Sequence, residues 1–282
     1  MSEQNTPEAF VFYQYDPSLA AAVIFTFLFF GTSTLHVYQL SRTRTWYFTA
    51  LVLGGIMEAI GYVGRILSSR QSPNWTLGPF IIQAMLLLIA PALFAASIYM
   101  ILGRIVLALD GEKHCLIKKK WLTKIFVAGD VVSFLVLSGG SGLQTNKDIN
   151  VVQTGERVIL AGLLIQVVFF GVFMLVALLF HQRILRDPTH ASMSPNLPWQ
   201  KHLHVLYIVS ALIMIRSVVR VVEYIQGFEG YILSHEAFLY IFDGLLMFIA
   251  LAIFNWIHPS ELIPGKGRGR KVPSRDVSMN NL

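Results

Sequence analysis

Residues 77–107 read LGPFIIQAMLLLIAPALFAASIYMILGRIVL, without a charge before Arg104. Roughly 20 mainly apolar helical residues cross the hydrocarbon core of a bilayer, so this stretch spans one and is expected to tilt or overhang it. Pro91 lies inside it. A proline removes one helical hydrogen bond, so a kink is expected there.

Outward from this stretch, six further segments have the same character. The seven spans are placed at Leu19–Leu40, Trp46–Leu67, Leu77–Leu107, Trp121–Leu143, Val158–Phe180, Leu203–Ile225 and Ala237–Ile257. The composition agrees. Hydrophobic residues make up 55% of the 282 residues and charged residues only 13%, with a mean hydropathy of +0.60. A soluble domain carries about 25% charged residues. These figures exclude a disordered chain, a nucleic-acid-binding domain and a typical cytosolic enzyme. No segment alternates with period two, which argues against a β-barrel. The expected fold is all-α, a polytopic bundle of seven transmembrane helices.

The charges between the spans set the expected orientation. Arg42 and Arg44 follow span one, and Lys113, Lys118, Lys119, Lys120 and Lys124 surround the loop after span three. Arg183, Arg186 and Lys201 lie between spans five and six, and Lys266, Arg268, Arg270, Lys271 and Arg275 lie in the tail. All fall on one side; the other side holds Arg70, Lys147, Arg157 and little else. Basic loops face the cytosol, so the N-terminus is expected outside and the C-terminus inside. The organisation expected is an extracellular stretch at 1–18, a membrane domain at 19–257 and a basic, disordered cytosolic tail at 258–282. The acidic residues before span one (Glu3, Glu8, Asp16) and its length argue against a cleaved signal peptide. The triple lysine Lys118, Lys119 and Lys120 is expected to meet anionic inner-leaflet lipid, or simply to fix topology. Asn74-Trp75-Thr76 is a glycosylation sequon in an outer loop, close to the membrane. With one cysteine, Cys115, no intramolecular disulfide forms.

Ionisable groups inside spans are costly and mark function. Span two carries Glu58, Tyr62 and Arg65; span six carries Arg216, Arg220 and Glu223; span seven opens with Glu236, Tyr240 and Asp243. Each set lies on one helical face. Span four adds Asp130 and Ser133, and span three adds Gln83 and Tyr99. The intramembrane count is five carboxylates (Glu58, Asp130, Glu223, Glu236, Asp243) against three arginines (Arg65, Arg216, Arg220). Lipid satisfies none of them, so they are expected to turn toward one interior cluster. The excess of acid fits protonated carboxyls or a wet cavity for a cationic or amino-bearing ligand. Pairs such as Arg220 with Glu223, or Arg65 with Glu58, equally serve to tie helices together.

Other chemistries lack their residues. There is no P-loop motif, no lysine in span seven for a Schiff base, and Leu102-Gly103-Arg104 stands where a conventional G-protein-coupled receptor has Asp-Arg-Tyr. No His-x-x-x-His occurs, and His202, His204 and His181 are expected to be solvated at the inner end of span six. No catalytic residue, metal or cofactor is expected. The absence of a duplicated half weakens an inverted-repeat transporter.

The sequence resembles the fungal lipid-translocating exporter family, seven-span proteins associated with aminocholesterol resistance, molasses resistance and sphingoid-base export. The resemblance covers about residues 13 to 260. It is carried by Glu58-x-x-Gly61-Tyr62-x-x-Arg65, by Gln83-Ala84 leading to Ala90-Pro91-x-x-Phe94-Ala95-Ala96-x-x-Tyr99 and Gly103-Arg104, and by Asp130-x-x-Ser133 with the glycines after it. It continues through Gly162-Leu163 with Gln166, Arg216-x-x-x-Arg220-x-x-Glu223 to Gly227, Glu236-x-x-x-Tyr240-x-x-Asp243, and His258-Pro259. Leu137 stands where the family pattern leads one to expect glutamine, which would favour a more apolar substrate if that glutamine meets ligand in relatives. The resemblance implies transport of an amphipathic lipid or lipid-like compound such as a sphingoid base, a sterol-like molecule or a lipophilic metabolite. Export or resistance at the plasma membrane follows, with vacuolar or endosomal membranes compatible. Members linked to porphyrin uptake and drug tolerance leave the substrate open. The rival reading is a seven-span sensor that regulates lipid asymmetry without moving lipid; a membrane hydrolase has little support. Partners are membrane lipids or lipophilic small molecules, not nucleic acid, and the oligomeric state is open.

Overall fold

The computed structural model describes residues 13, 15–117, 119–144, 148–194, 197–227 and 230–262. Seven helices in it are long and apolar enough to cross a membrane. They are α1 (Leu19–Thr43), α2 (Thr49–Arg70), α3 (Leu77–Ala108), α4 (Lys119–Gln144), α5 (Ile149–Arg186), α6 (Trp199–Gln226) and α7 (Glu236–Trp256). A single 3₁₀ turn at Trp46–Phe48 leads into α2. The chain is an all-α integral membrane protein, with no strand among the described residues.

The helices run past the apolar stretches that predict them. The difference is largest in α5, which begins at Ile149 rather than Val158 and ends at Arg186 rather than Phe180. Its polar flanks stay helical because each end is anchored. Asp148 caps the first turn by accepting from the Asn150 amide at 2.9 Å, and Arg183 reaches the His114 carbonyl at the other end. Hydropathy marks where a helix enters lipid, not where its backbone bonds stop.

Consecutive helices pack side by side, α7 returns to α1, and α3 also touches α6. Close approach rests on small residues, as in membrane bundles generally. A Cβ on Gly64 would stand 3.1 Å from the Pro79 carbonyl, which draws α2 against α3. One on Gly140 would stand 2.9 Å from the Gly155 carbonyl, which draws α4 against α5. The outward faces are apolar and exposed (Phe27, Phe30, Leu135, Val168), while Glu58, Arg65, Arg216 and Asp243 are buried. This inverts the usual soluble arrangement, in which charged residues are almost never fully buried unless paired.

Two of the helices depart from regular form. In α3, Pro91 withholds the N–H that would bond the Leu87 carbonyl, and that carbonyl accepts from Arg216 Nη2 on α6 at 2.7 Å. The expected regular spacing of Glu236, Tyr240 and Asp243 does not hold in α7. After one α turn at Glu236–Phe238, residues Leu239–Leu245 are π-helical, and the α-helix resumes at Leu246–Trp256. The wider i→i+5 turn is a feature frequent at functional sites. Here it delivers Tyr240 and Asp243 to different arginines. Gly244 makes room for it: a Cβ there would lie 2.6 Å from the Tyr62 hydroxyl and from the Phe25 ring.

Candidate functional site

At one end of the network stands Arg65, fully buried on α2. Its Nη2 donates to Glu236 Oε1 at 2.6 Å and to the Tyr15 hydroxyl at 3.1 Å, and its Nε donates to the Tyr240 hydroxyl at 2.9 Å. The guanidinium carbon lies 5.2, 5.6 and 5.9 Å from the ring centroids of Tyr240, Tyr15 and Tyr13, within cation–π range. Tyr13, Tyr15, Asp16 and Ser18, before α1, close over this group. Tyr13 donates to Gln83 Oε1 at 3.0 Å, the Ser18 amide donates to Glu236 Oε1 at 2.8 Å, and Ser72 donates to Asp16 Oδ1 at 2.6 Å. Arg65 therefore pairs with Glu236 across helices, not with Glu58. Two helical turns separate residues 58 and 65, about 10 Å along the axis, and Glu236 is directly opposite.

Deeper in the bundle, Asp243 on α7 lies between two arginines of α6. Arg216 Nε sits 2.9 Å from Asp243 Oδ1, and Arg220 bonds Asp243 through Nε and Nη2. Arg220 Nη1 also holds Glu223, at 2.9 and 3.2 Å from its two carboxylate oxygens. The pairing of Arg220 with Glu223 expected from their i,i+3 spacing is present.

Glu58 faces this cluster from α2. It is fully buried, within electrostatic reach of Arg216, Arg220 and Asp243, yet neither of its oxygens accepts a hydrogen bond. One turn along, Tyr62 stacks against Phe25, Phe29 and Tyr240 at centroid distances of 5.3, 5.6 and 5.9 Å, with its hydroxyl also without a partner. Tyr62 thereby bridges the Arg65 group and the Asp243 group.

Asp130 and Tyr99 stand apart, which corrects the single interior cluster expected from the sequence. Asp130 on α4 is 5% exposed and faces Tyr99 on α3; neither side chain has a hydrogen bond of ordinary geometry. The Tyr99 ring is packed by Phe126, Phe170 and Phe173 at 5.4, 6.2 and 4.5 Å.

Charge matching follows from these contacts. Arg65 takes Glu236, and Arg216 and Arg220 share Asp243 and Glu223. Three arginines meet three carboxylates. The two left over are Glu58 and Asp130. Leaving a lone ion in a dry interior costs several kcal/mol, so each must carry a proton or receive a cation.

The remaining sequence candidates fall elsewhere. Asn74 is exposed in the turn before α3. Lys118 lies outside the described residues, as do the side chains of Lys119 and Lys120. Leu137 is buried in a small apolar cluster with Ile159 and Leu163, against Gly162; it fills the α4–α5 contact. His181 and His204 approach each other at 6.1 Å between ring centroids, and no group of three metal-ligand side chains occurs among the described residues. Two features escaped the sequence reading. Tyr13, Tyr15 and Ser18 lie before the first apolar span and so gave no intramembrane signal. The bond from Arg216 to the Leu87 carbonyl is the second, although Pro91 four residues on signals an acceptor without its helical donor. A groove of about 500 Å³ also opens between α1 and α7, lined by Phe27, Leu35, Phe248 and Trp256, with Thr32 and Asn255.

Known proteins resemble this chain in sequence. The family model described as RTA1 like protein matches residues 51–266. The chain is 38% identical over 286 residues to Protoporphyrin uptake protein 1 of Saccharomyces cerevisiae, covering 89% of this chain and 93% of that protein. It is 35% identical to Protein RTM1 from the same organism, covering 90% and 93%. It is 27% identical to the Sphingoid long-chain base transporter RSB1 of S. cerevisiae, covering 85% and 70%. No solved structure matches the chain. Two of these relatives carry the names of uptake or transport proteins, and a seven-span integral membrane protein is the form the bundle takes. The chain belongs to the RTA1-like family.

Proposed function

We propose that this protein translocates an amphipathic lipid with a cationic or amino-bearing headgroup across a fungal membrane. The sphingoid bases named for one relative are the model substrate class. The observation that carries the reading is Glu58: a fully buried carboxyl without a hydrogen-bond donor, beside arginines already matched by other carboxylates. An ammonium headgroup supplies both the donors and the charge that Glu58 lacks. Asp243, Arg216 and Arg220 hold the surrounding field fixed, and Tyr62 offers a free hydroxyl beside it. The α1–α7 groove is separated from Tyr62 by the rings of Phe29 and Phe248, which meet edge to face at 6.3 Å, and suits an apolar tail. Tyr13, Tyr15 and Ser18 cover the outer end and must move for a headgroup to pass that way. The role expected is export or tolerance at the plasma membrane, without catalysis.

Comparing export of labelled sphingoid bases, and growth in their presence, between cells with and without the protein tests this reading. Faster export and higher tolerance with the protein are expected. Equal export and equal tolerance contradict it. The rival reading, a sensor that leaves lipid in place, draws support from the tight closure of the network by Tyr13, Tyr15 and Ser18. It predicts that the purified protein leaves the transbilayer rate of a lipid probe unchanged.

A further inference from the structure

Glu58 and Asp130 are both left without a cation, but their surroundings differ. Glu58 faces arginines and an aspartate. Asp130 faces Tyr99 from α3; on α5, Phe170 and Phe173 pack on that Tyr99 ring and Phe169 lies against the neighbouring Gly129, and none of the three is titratable. On its own helix, Ser133 uses its hydroxyl on the Gly129 carbonyl at 2.8 Å and gives nothing to the carboxyl. None of the ion pairs of the described residues includes Asp130. A headgroup would have to displace packed rings to arrive here; a proton would not.

We infer that Asp130, with Tyr99, is a proton-binding site separate from the Glu58 headgroup site, and that the two are linked through the Pro91 break in α3. The inference rests on the translocation reading above and assigns its energy source. In the packed state Asp130 holds its proton, because no ion pair among the described residues balances its charge. It exchanges that proton only when α3 and α4 part enough to admit water. Tyr99, its partner, lies on one side of Pro91. On the other side, the Leu87 carbonyl is held by Arg216, which faces Glu58. A proline-interrupted helix bends where its hydrogen-bond ladder is broken. Movement of α3 that wets Asp130 therefore acts on the arginine that sets the field at Glu58. One proton moving one way for one headgroup cation moving the other leaves the charge on each side unchanged.

The test uses the full chain in phosphatidylcholine vesicles, with a fluorescent long-chain amphiphile whose headgroup is a guanidinium, which keeps N–H donors for Glu58 and stays charged at working pH. Its fixed charge prevents crossing as a neutral amine. An imposed gradient of about two pH units should drive uphill accumulation of the probe, toward a ceiling of about a hundredfold for one-to-one exchange. Asp130→Asn should give no accumulation under the imposed pH gradient, whatever rate of downhill movement it keeps. Asp130→Glu, which keeps a titratable group, should retain accumulation and guards against a folding defect in the amide variant. Accumulation by Asp130→Asn overturns the inference. So does a parent protein that moves the probe but ignores the pH gradient, which leaves the translocation reading standing. A parent protein that moves no probe at all overturns both.

Discussion

Arg216 on α6 occupies the carbonyl of Leu87 on α3, the one acceptor that Pro91 leaves without its helical donor, at 2.7 Å. The proline and the arginine act as a pair. Without the proline, the arginine would compete with a backbone N–H; without the arginine, the carbonyl would stand bare inside the membrane.

Pro91→Ala restores that N–H. A proline in a helix interior disfavours the helix by about 3 kcal/mol relative to alanine, so the variant is expected to be at least as heat-stable as the parent. Transport is expected to fall, because α3 loses its break and Arg216 loses exclusive claim to the carbonyl. Thermal inactivation in detergent and probe transport in vesicles, measured on the same preparation, check both.

Glu236→Ala leaves Arg65 buried with only neutral partners and removes the acceptor of the Ser18 amide. Breaking a buried ion pair is strongly destabilising. Because Glu236 is 19% exposed and Tyr15 and Tyr240 stay in place, the expected loss is about 2–4 kcal/mol. Amide exchange of the residues around Ser18 should accelerate as their tie to α7 is lost.

Gly244→Ala places a methyl 2.6 Å from the Tyr62 hydroxyl and the Phe25 ring. Overpacking costs about 1–3 kcal/mol, so a lower melting temperature is expected. Gly78→Ala, with nothing within 4 Å of its Cβ in the first turn of α3, serves as the control and should not lower the melting temperature.

At the end of the bundle where α5 stops, Asp187 accepts from Lys113 at 2.8 Å. That hydrogen bond, with the lysine charge, holds the carboxyl below its usual range. A lowered folded-state value means the contact stabilises the fold at neutral pH and is lost as the carboxylate protonates, below about pH 4. The melting temperatures of the parent and Asp187→Asn should differ slightly at neutral pH and low salt, and converge in acid. The pair is exposed, so the difference should also shrink as salt is added.

The α3 stretch and its six counterparts were readable because hydropathy alone reports membrane spans. The faces of α2 and α6 were readable because helical periodicity is local, as was the pairing of Arg220 with Glu223 one turn away. Partners across helices were not. Nothing near Arg65 in the sequence says that Glu236 rather than Glu58 stands opposite it, since that depends on how α2 and α7 are rotated. The separation of Asp130 has the same cause. The π-helical stretch of α7 has no local signature, because the packing of Gly244 on Tyr62 and the pull of two sets of arginines accompany it. The count of five carboxylates against three arginines held its meaning, and the structure sharpened it by naming Glu58 and Asp130 as the unmatched pair.

The most direct test of the headgroup site is the rate at which the purified protein moves a labelled long-chain amine across a vesicle membrane, compared between the parent and Glu58→Gln. The account predicts that the parent accelerates movement over protein-free vesicles and that Glu58→Gln, folded and inserted to the same level, loses at least about tenfold of that acceleration, equivalent to about 1.4 kcal/mol. Equal rates for the two proteins would contradict it.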